Sequence, residues 1–216
     1  MQARDLFRLE SGTGQVGELL IYFLLETVLQ APQALKKMLM TSNPKEERKG
    51  SDGVHLRWVK DIGVLELIFA ESKLWKSFSD ALTSAFKSMD EFHASRAKQF
   101  EVNTVTAGFL NLSPALQAKV SSYIEGDNVS SFSECQACLI GFDWGEYKCL
   151  TDGRREKFVK EFEDRYRNWM IARRDTINLK LKQFKHKHLR FEFFILPFSD
   201  VQAFRDWFIE ALTGNE

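Results

Sequence analysis

Val16, Leu19, Leu20, Phe23, Leu24 and Val28 recur at three- and four-residue spacing, and Ile21, Tyr22 and Leu25 fill much of the remaining circumference. That pattern predicts a largely buried helix. Glu18 lies inside it, and a carboxylate is rarely buried without a cation or a hydrogen bond. Residues 32–40 form a shorter amphipathic segment, and 41–50, polar and broken by Asn43-Pro44 and Gly50, predict a loop leading to Asp52. The periodicity then drops to two. Residues 55–59 and 64–69 read as an antiparallel hairpin around Asp61-Ile62. A helix follows, on the stripe Leu74, Phe78, Ala81, Leu82, Ala85, Phe86 and Met89. Beyond it the pattern predicts a strand over 102–110, a helix over 114–124 and a loop over 126–133. Residues 138–142 read as a buried strand, continued by a hairpin through Asp143-Trp144-Gly145 to 147–150. A long helix over 154–184 carries Phe158, Phe162, Trp169 and Met170; a strand over 189–196 and a helix over 201–212, with Gly214 at its end, close the chain. The order is mixed α/β, in one domain over 1–216 with a C-terminal elaboration from 150.

Register gives the hairpin its interest. Pairing Trp58 with Leu65, Leu56 with Leu67 and Val54 with Phe69 puts apolar side chains on one face and Arg57 opposite Glu66 on the other. Asp52 then falls opposite Glu71, at a Cβ separation of roughly 4.5–5.5 Å, where two carboxylates can share a divalent cation. Glu71 and Lys73 point the same way by strand alternation. Asp61-Ile62 is a poor two-residue turn, and a bulge at Gly63 would shift the register by one and send the acids to opposite faces.

A chain of 216 residues, 44% hydrophobic with 19 Phe, can fill a core. A formal charge of zero excludes a wholly basic nucleic-acid coat and directs attention to local patches. Arg173, Arg174, Lys180, Lys182, Lys185, Lys187 and Arg190 face only Asp175 in one such block, which suits a phosphate backbone, an acidic partner or a solvated helix end. The odd count of three cysteines fits reduced core thiols better than disulfides, and Cys135, Cys138 and Cys149 lack an evident fourth ligand for zinc. His186 and His188 read as a solvated basic turn. Without a signal peptide pattern or a membrane-length apolar run, the expected compartment is the cytoplasm.

The acid, then acid-x-lysine, between helices resembles the PD-(D/E)xK, restriction-endonuclease-like superfamily. Asp52 takes the place of the first acid, Glu71-Ser72-Lys73 that of the second acid and lysine, and Glu18 that of the glutamate on the first core helix. Ser51 stands where a proline usually precedes the first acid. More closely, 14–26, 51–79 and 193–212 resemble the HamA family of Hachiman antiphage defence, in which more chain is expected ahead of the first helix. The resemblance implies a restriction-endonuclease-like core, a mixed central sheet flanked by helices. It further implies a Mg²⁺- or Mn²⁺-dependent DNA endonuclease of little sequence specificity, working with a helicase, HamB. Asp52, Glu71 and the Ser72 carbonyl would hold the metal, Glu18 would bind it directly or through water, and Lys73 would stabilise developing charge and position the attacking water. The alternatives are a repair or junction nuclease and a non-catalytic DNA- or helicase-binding subunit. Whether two chains pair to cut both strands is open.

Overall fold

The computed structural model describes residues 14–35, 51–59, 62–95, 98, 132–150 and 154–213. The elements expected over 102–110 and 114–124, the loops over 41–50 and 126–131, and Gly214 lie outside them. In chain order the elements are α1 (Gln15–Thr27), β1 (Gln33–Leu35), β2 (Gly53–Val59), β3 (Val64–Trp75), α2 (Phe78–Ala94), β4 (Phe132–Asp143), a 3-10 turn (Gly145–Cys149), α3 (Arg155–Gln183), β5 (Arg190–Phe198) and α4 (Val201–Thr213). The strands form one sheet in the order β1-β2-β3-β4-β5. β1, β2 and β3 pair antiparallel, while β4 joins β3, and β5 joins β4, in parallel. Parallel neighbours need a crossover, and α2 and α3 lie in the two crossing segments.

Strand alternation separates two cores. Ile68, Ala70 and Leu74 of β3 and Cys135, Ala137 and Leu139 of β4 pack under α1 and α4. Cys138, Ile140 and Phe142 turn to the opposite face and pack under α2 and α3. α2 is the element whose stripe reads most directly: Ser77 caps it by accepting from the Asp80 amide, and Phe78, Ala81, Leu82, Ala85, Phe86 and Met89 are all buried. Leu74 belongs to β3 rather than to this helix.

Two expectations are corrected, and a third segment gains a definite form. α1 is not buried on most sides: it buries Val16, Gly17, Ile21 and Leu25, while Phe23 is 50% exposed. A helix lying on the outside of a sheet needs only one stripe against it. The amphipathic segment from 32 opens as the short strand β1, and its residues 36–40 lie outside the described ones; Leu56 donates its amide to the Pro32 carbonyl at 3.0 Å. No hairpin follows Asp143. The Trp144 amide donates to Phe198 O at 2.8 Å and its ring is buried against Tyr147, Phe162 and Tyr166, so the chain turns across the end of β5. α3 has no fully buried residue and rests on an aromatic row, with Trp169 stacked on Phe142 at 4.6 Å.

His93 of α2 donates through Nε2 to Gln136 Oε1 at 3.0 Å, and Gln136 in turn donates to Phe69 O at 2.9 Å. Burial pushes the His93 pKa down to about 4; the Gln136 bond and Glu134 oppose this, while Lys98 and His186 add to it. His55 is lowered too, by burial. Both imidazoles bind a proton more readily in the unfolded chain. Their contribution is therefore complete above about pH 6.5 and is lost as the pH falls below it, for the partly exposed His93 down to about 4 and by about 1–2 kcal/mol. Urea midpoints measured across that range should fall with pH, and by less in His93→Phe.

Candidate active site at the free edge of β3

β3 outruns its neighbour. It has 12 residues against 7 in β2, and Gly53↔Ala70 is the last pair between them. The register is the expected one, pairing Trp58 with Leu65, Leu56 with Leu67, Val54 with Phe69 and Arg57 with Glu66. Gly63 takes φ +64° without shifting it, and Val59↔Val64 is the last pair among the described residues at this end; Asp61 of the expected turn lies outside them. At the other end Asp52 does not extend the ladder to Glu71. Its amide donates to Ala70 O at 2.8 Å, and its Oδ2 accepts from the Ser72 amide and the Ser72 hydroxyl, each at 2.7 Å. The carboxylate thus replaces the backbone partner that a longer β2 would have offered to Ser72. In an antiparallel pair the N–H and C=O of one residue point to the same neighbour. The Ser72 carbonyl consequently faces the same free edge.

Glu71 is buried, and its Oε1 accepts from the ammonium of Lys73 two residues on. Burial disfavours the Lys73 ammonium, but Glu71, with Asp52 behind it, outweighs burial and holds its pKa above the usual lysine value. Cys138 pairs with Glu71 across the sheet. Its thiol is pushed well up by burial first, then by Glu71 and Asp52, with Lys73 opposing. Two carboxylates therefore act on the same two neighbours even though they sit off and on the ladder.

Glu18 occupies the first turn of α1, half-buried. Its Oε1 is 3.8 Å from where a Cβ on Gly14 would stand, and a Cβ on Gly17 would stand 2.8 Å from Ser72 Oγ, so this turn of the helix is seated on the edge at Ser72. α1 covers the face opposite to that of Glu71 and Lys73. Any path from Glu18 to them therefore runs around the free edge rather than across the sheet.

Among the described residues no group of three or more His, Cys, Asp or Glu side chains is arranged to hold a metal ion. The local reason is that Asp52 is turned to Ser72, and Glu71 to Lys73. The donors themselves, two carboxylates and a carbonyl at one edge, are the hard oxygens that Mg²⁺ or Mn²⁺ takes, so the residues fit such an ion in kind. The zinc alternative fails on geometry: Cys135 and Cys138 lie in opposite cores. Cys149, expected in a core, is exposed.

The basic block is spread along α3 and the turn after it. Arg173 lays its guanidinium over Trp169 at 4.1 Å, and Lys185 and Lys187 are exposed in the turn where β5 begins, whereas Glu71 and Lys73 lie towards the end of β3. Sequence reasoning also passed over side chains that the fold brings to this edge. Arg205 of α4 donates to the Leu74 carbonyl, and Trp75, Ser84 and Ser88 line a cleft beside Lys73. Only the i, i+4 spacing of the two serines, on the border of the α2 stripe, was a signal.

Fold and site together define a mixed α/β protein that gathers two acids and a lysine where one strand outruns the next. The HamA family profile matches residues 1–212, and the chain belongs to that family, a component of Hachiman antiphage defence. No curated protein and no solved structure matches the chain. No described helix is long and apolar enough to cross a membrane.

Proposed function

We propose that the chain is the nuclease of its defence system, a metal-dependent deoxyribonuclease of the PD-(D/E)xK kind with little sequence specificity, acting beside the helicase HamB. The observation that carries this reading is the meeting, at the free edge of β3, of Asp52 hydrogen-bonded to Ser72 with Glu71 hydrogen-bonded to Lys73. The order α1-β1-β2-β3-α2-β4, with an antiparallel meander joined in parallel by the fourth strand, supports it as a restriction-endonuclease-like arrangement.

Asp52, Glu71 and the Ser72 carbonyl are the residues that would hold the ion, which when bound supplies Lewis-acid polarisation and a water of lowered pKa. Lys73 stays protonated beside its acids and donates to the phosphate oxygen on which charge develops, stabilising the transition state more than the ground state. Glu18, coming round the edge, accepts a hydrogen bond from the attacking water and orients it. Two hydrogen bonds from Ser72 to Oδ2 keep the Asp52 carboxylate at this edge.

The test incubates the purified chain, with and without the helicase, on linear and circular DNA with Mg²⁺, Mn²⁺ or EDTA. Cleavage that needs the metal is expected, and cleavage undiminished by EDTA would overturn the reading. Glu18→Gln is expected to lower both cleavage and the rise in melting temperature that Mg²⁺ or Mn²⁺ produces by mass action. Native values for both would remove Glu18 from the site.

A further inference from the structure

Beside Lys73, beyond the last β2 pair, lies a cleft of about 260 Å³. Gly17 forms part of one wall, Ser84 and Ser88 of α2 part of another, and Trp75 and Arg205 also line it. It is smaller than the roughly 300–1,000 Å³ of pockets that enclose a whole drug-sized ligand, so it suits one flat or anionic part of a longer molecule. Its chemistry is consistent along its length. Arg205 spends two of its donors, one on the Leu74 carbonyl and one on Gln202 Oε1 at 3.3 Å, and a guanidinium has five. Ser84 and Ser88 are hydroxyls one helical turn apart, and Trp75 is 45% exposed at the end of β3. An anion-binding group, two hydroxyls and a flat aromatic surface, next to the lysine assigned to the reacting phosphate, are the parts of a single-strand site: cations track the backbone while bases stack.

We propose that this cleft seats an unpaired nucleotide next to the cut, with its base on Trp75 and its phosphate on Arg205, Ser84 and Ser88, and that the preferred substrate is therefore single-stranded DNA. A paired base has its faces occupied by its neighbours in the duplex and cannot take the Trp75 surface. The proposal rests on the nuclease reading for its choice of ligand, but its test does not depend on cleavage.

The experiment measures fluorescence anisotropy of a labelled oligothymidylate, and of a duplex of equal length, titrated with the full chain in EDTA. The native chain is expected to bind the single strand more tightly. Trp75→Ala is expected to weaken single-strand binding by about 5- to 100-fold with duplex binding unchanged, and Trp75→Phe to restore most of it. Arg205→Gln should weaken binding and reduce the salt slope by about one counterion. If Arg205→Gln does not fold, the two Trp75 variants decide. Native single-strand affinity in Trp75→Ala, equal loss on the duplex, or no binding of the oligothymidylate by the native chain would each overturn the proposal. Strand-selective binding that depends on Trp75 in a chain that cuts nothing would leave the cleft standing and remove the nuclease reading. Cutting that is indifferent to Trp75 would do the reverse.

Discussion

Glu71→Ala protein is expected to lose DNA cleavage by at least about 10²–10³-fold while melting close to the native temperature. Glu71, though buried, belongs to neither apolar cluster, and its assigned work is electrostatic: it would hold the metal and set the charge on Lys73. Lys73→Ala should lose comparable activity by removing the charge that meets the transition state. Asp52 needs a different substitution, because alanine there would also strip the partner from the Ser72 amide. Asp52→Asn keeps an acceptor for that amide and removes only the charge, so its loss of activity reports on chemistry. Single-turnover cleavage with saturating Mg²⁺ reads all three. Full activity in contaminant-free Glu71→Ala would end the assignment.

Phe142→Ala carries the largest expected loss of stability, about 3–5 kcal/mol. Phe142 is 1% exposed, stacks on Trp169 of α3 and meets Phe78 of α2 edge-on at 5.3 Å. One ring thus ties β4 to two helices, at one end of the aromatic row on which α3 rests. Urea unfolding should show the midpoint falling without a compensating change in slope, and the far-ultraviolet helical signal should begin to fall before the rest. A midpoint within the error of the native one would mean that α3 is held by contacts other than this aromatic row.

The β2–β3 register was legible because both strands alternate and one of them brings Arg57 against Glu66, so a slip of one residue would cost every pair at once. α2 was legible for the same reason at a different period. The misses share a cause. β1 has 3 residues, too few for alternation to speak. Trp144 and its aromatic neighbours come from three elements, and only the fold shows that they meet. α1 contains enough apolar residues for several faces, and sequence does not say which one the sheet will use. At the candidate site, Glu71 and Lys73 follow from alternation, while the position of Asp52 depends on a departure from the ladder at its last residue, which no period encodes. Arg57 and Glu66 were read as a pair, but Arg190 and Glu192 join them: Arg190 Nε lies 3.2 Å from Glu66 Oε1, and Arg57 Nη2 3.3 Å from Glu192 Oε1. Glu66 is 1% exposed between two guanidinium groups, so an ion pair legible within one hairpin is half of a four-charge arrangement spanning the sheet.

The hydrogen bond from Arg205 to Leu74 joins residues 131 positions apart. During synthesis, at about 5–20 residues per second, the stretch bearing Asp52, Glu71 and Lys73 emerges from the ribosome on the order of ten seconds before the residue that covers its edge. For that interval the Leu74 carbonyl must be served by water, and the strands that complete the sheet beyond β3 are still arriving. A growing chain therefore carries the acids and the lysine without the finished surface that aligns them, so translation itself delays the moment at which a proposed DNA-cutting edge is complete inside the cell that makes it.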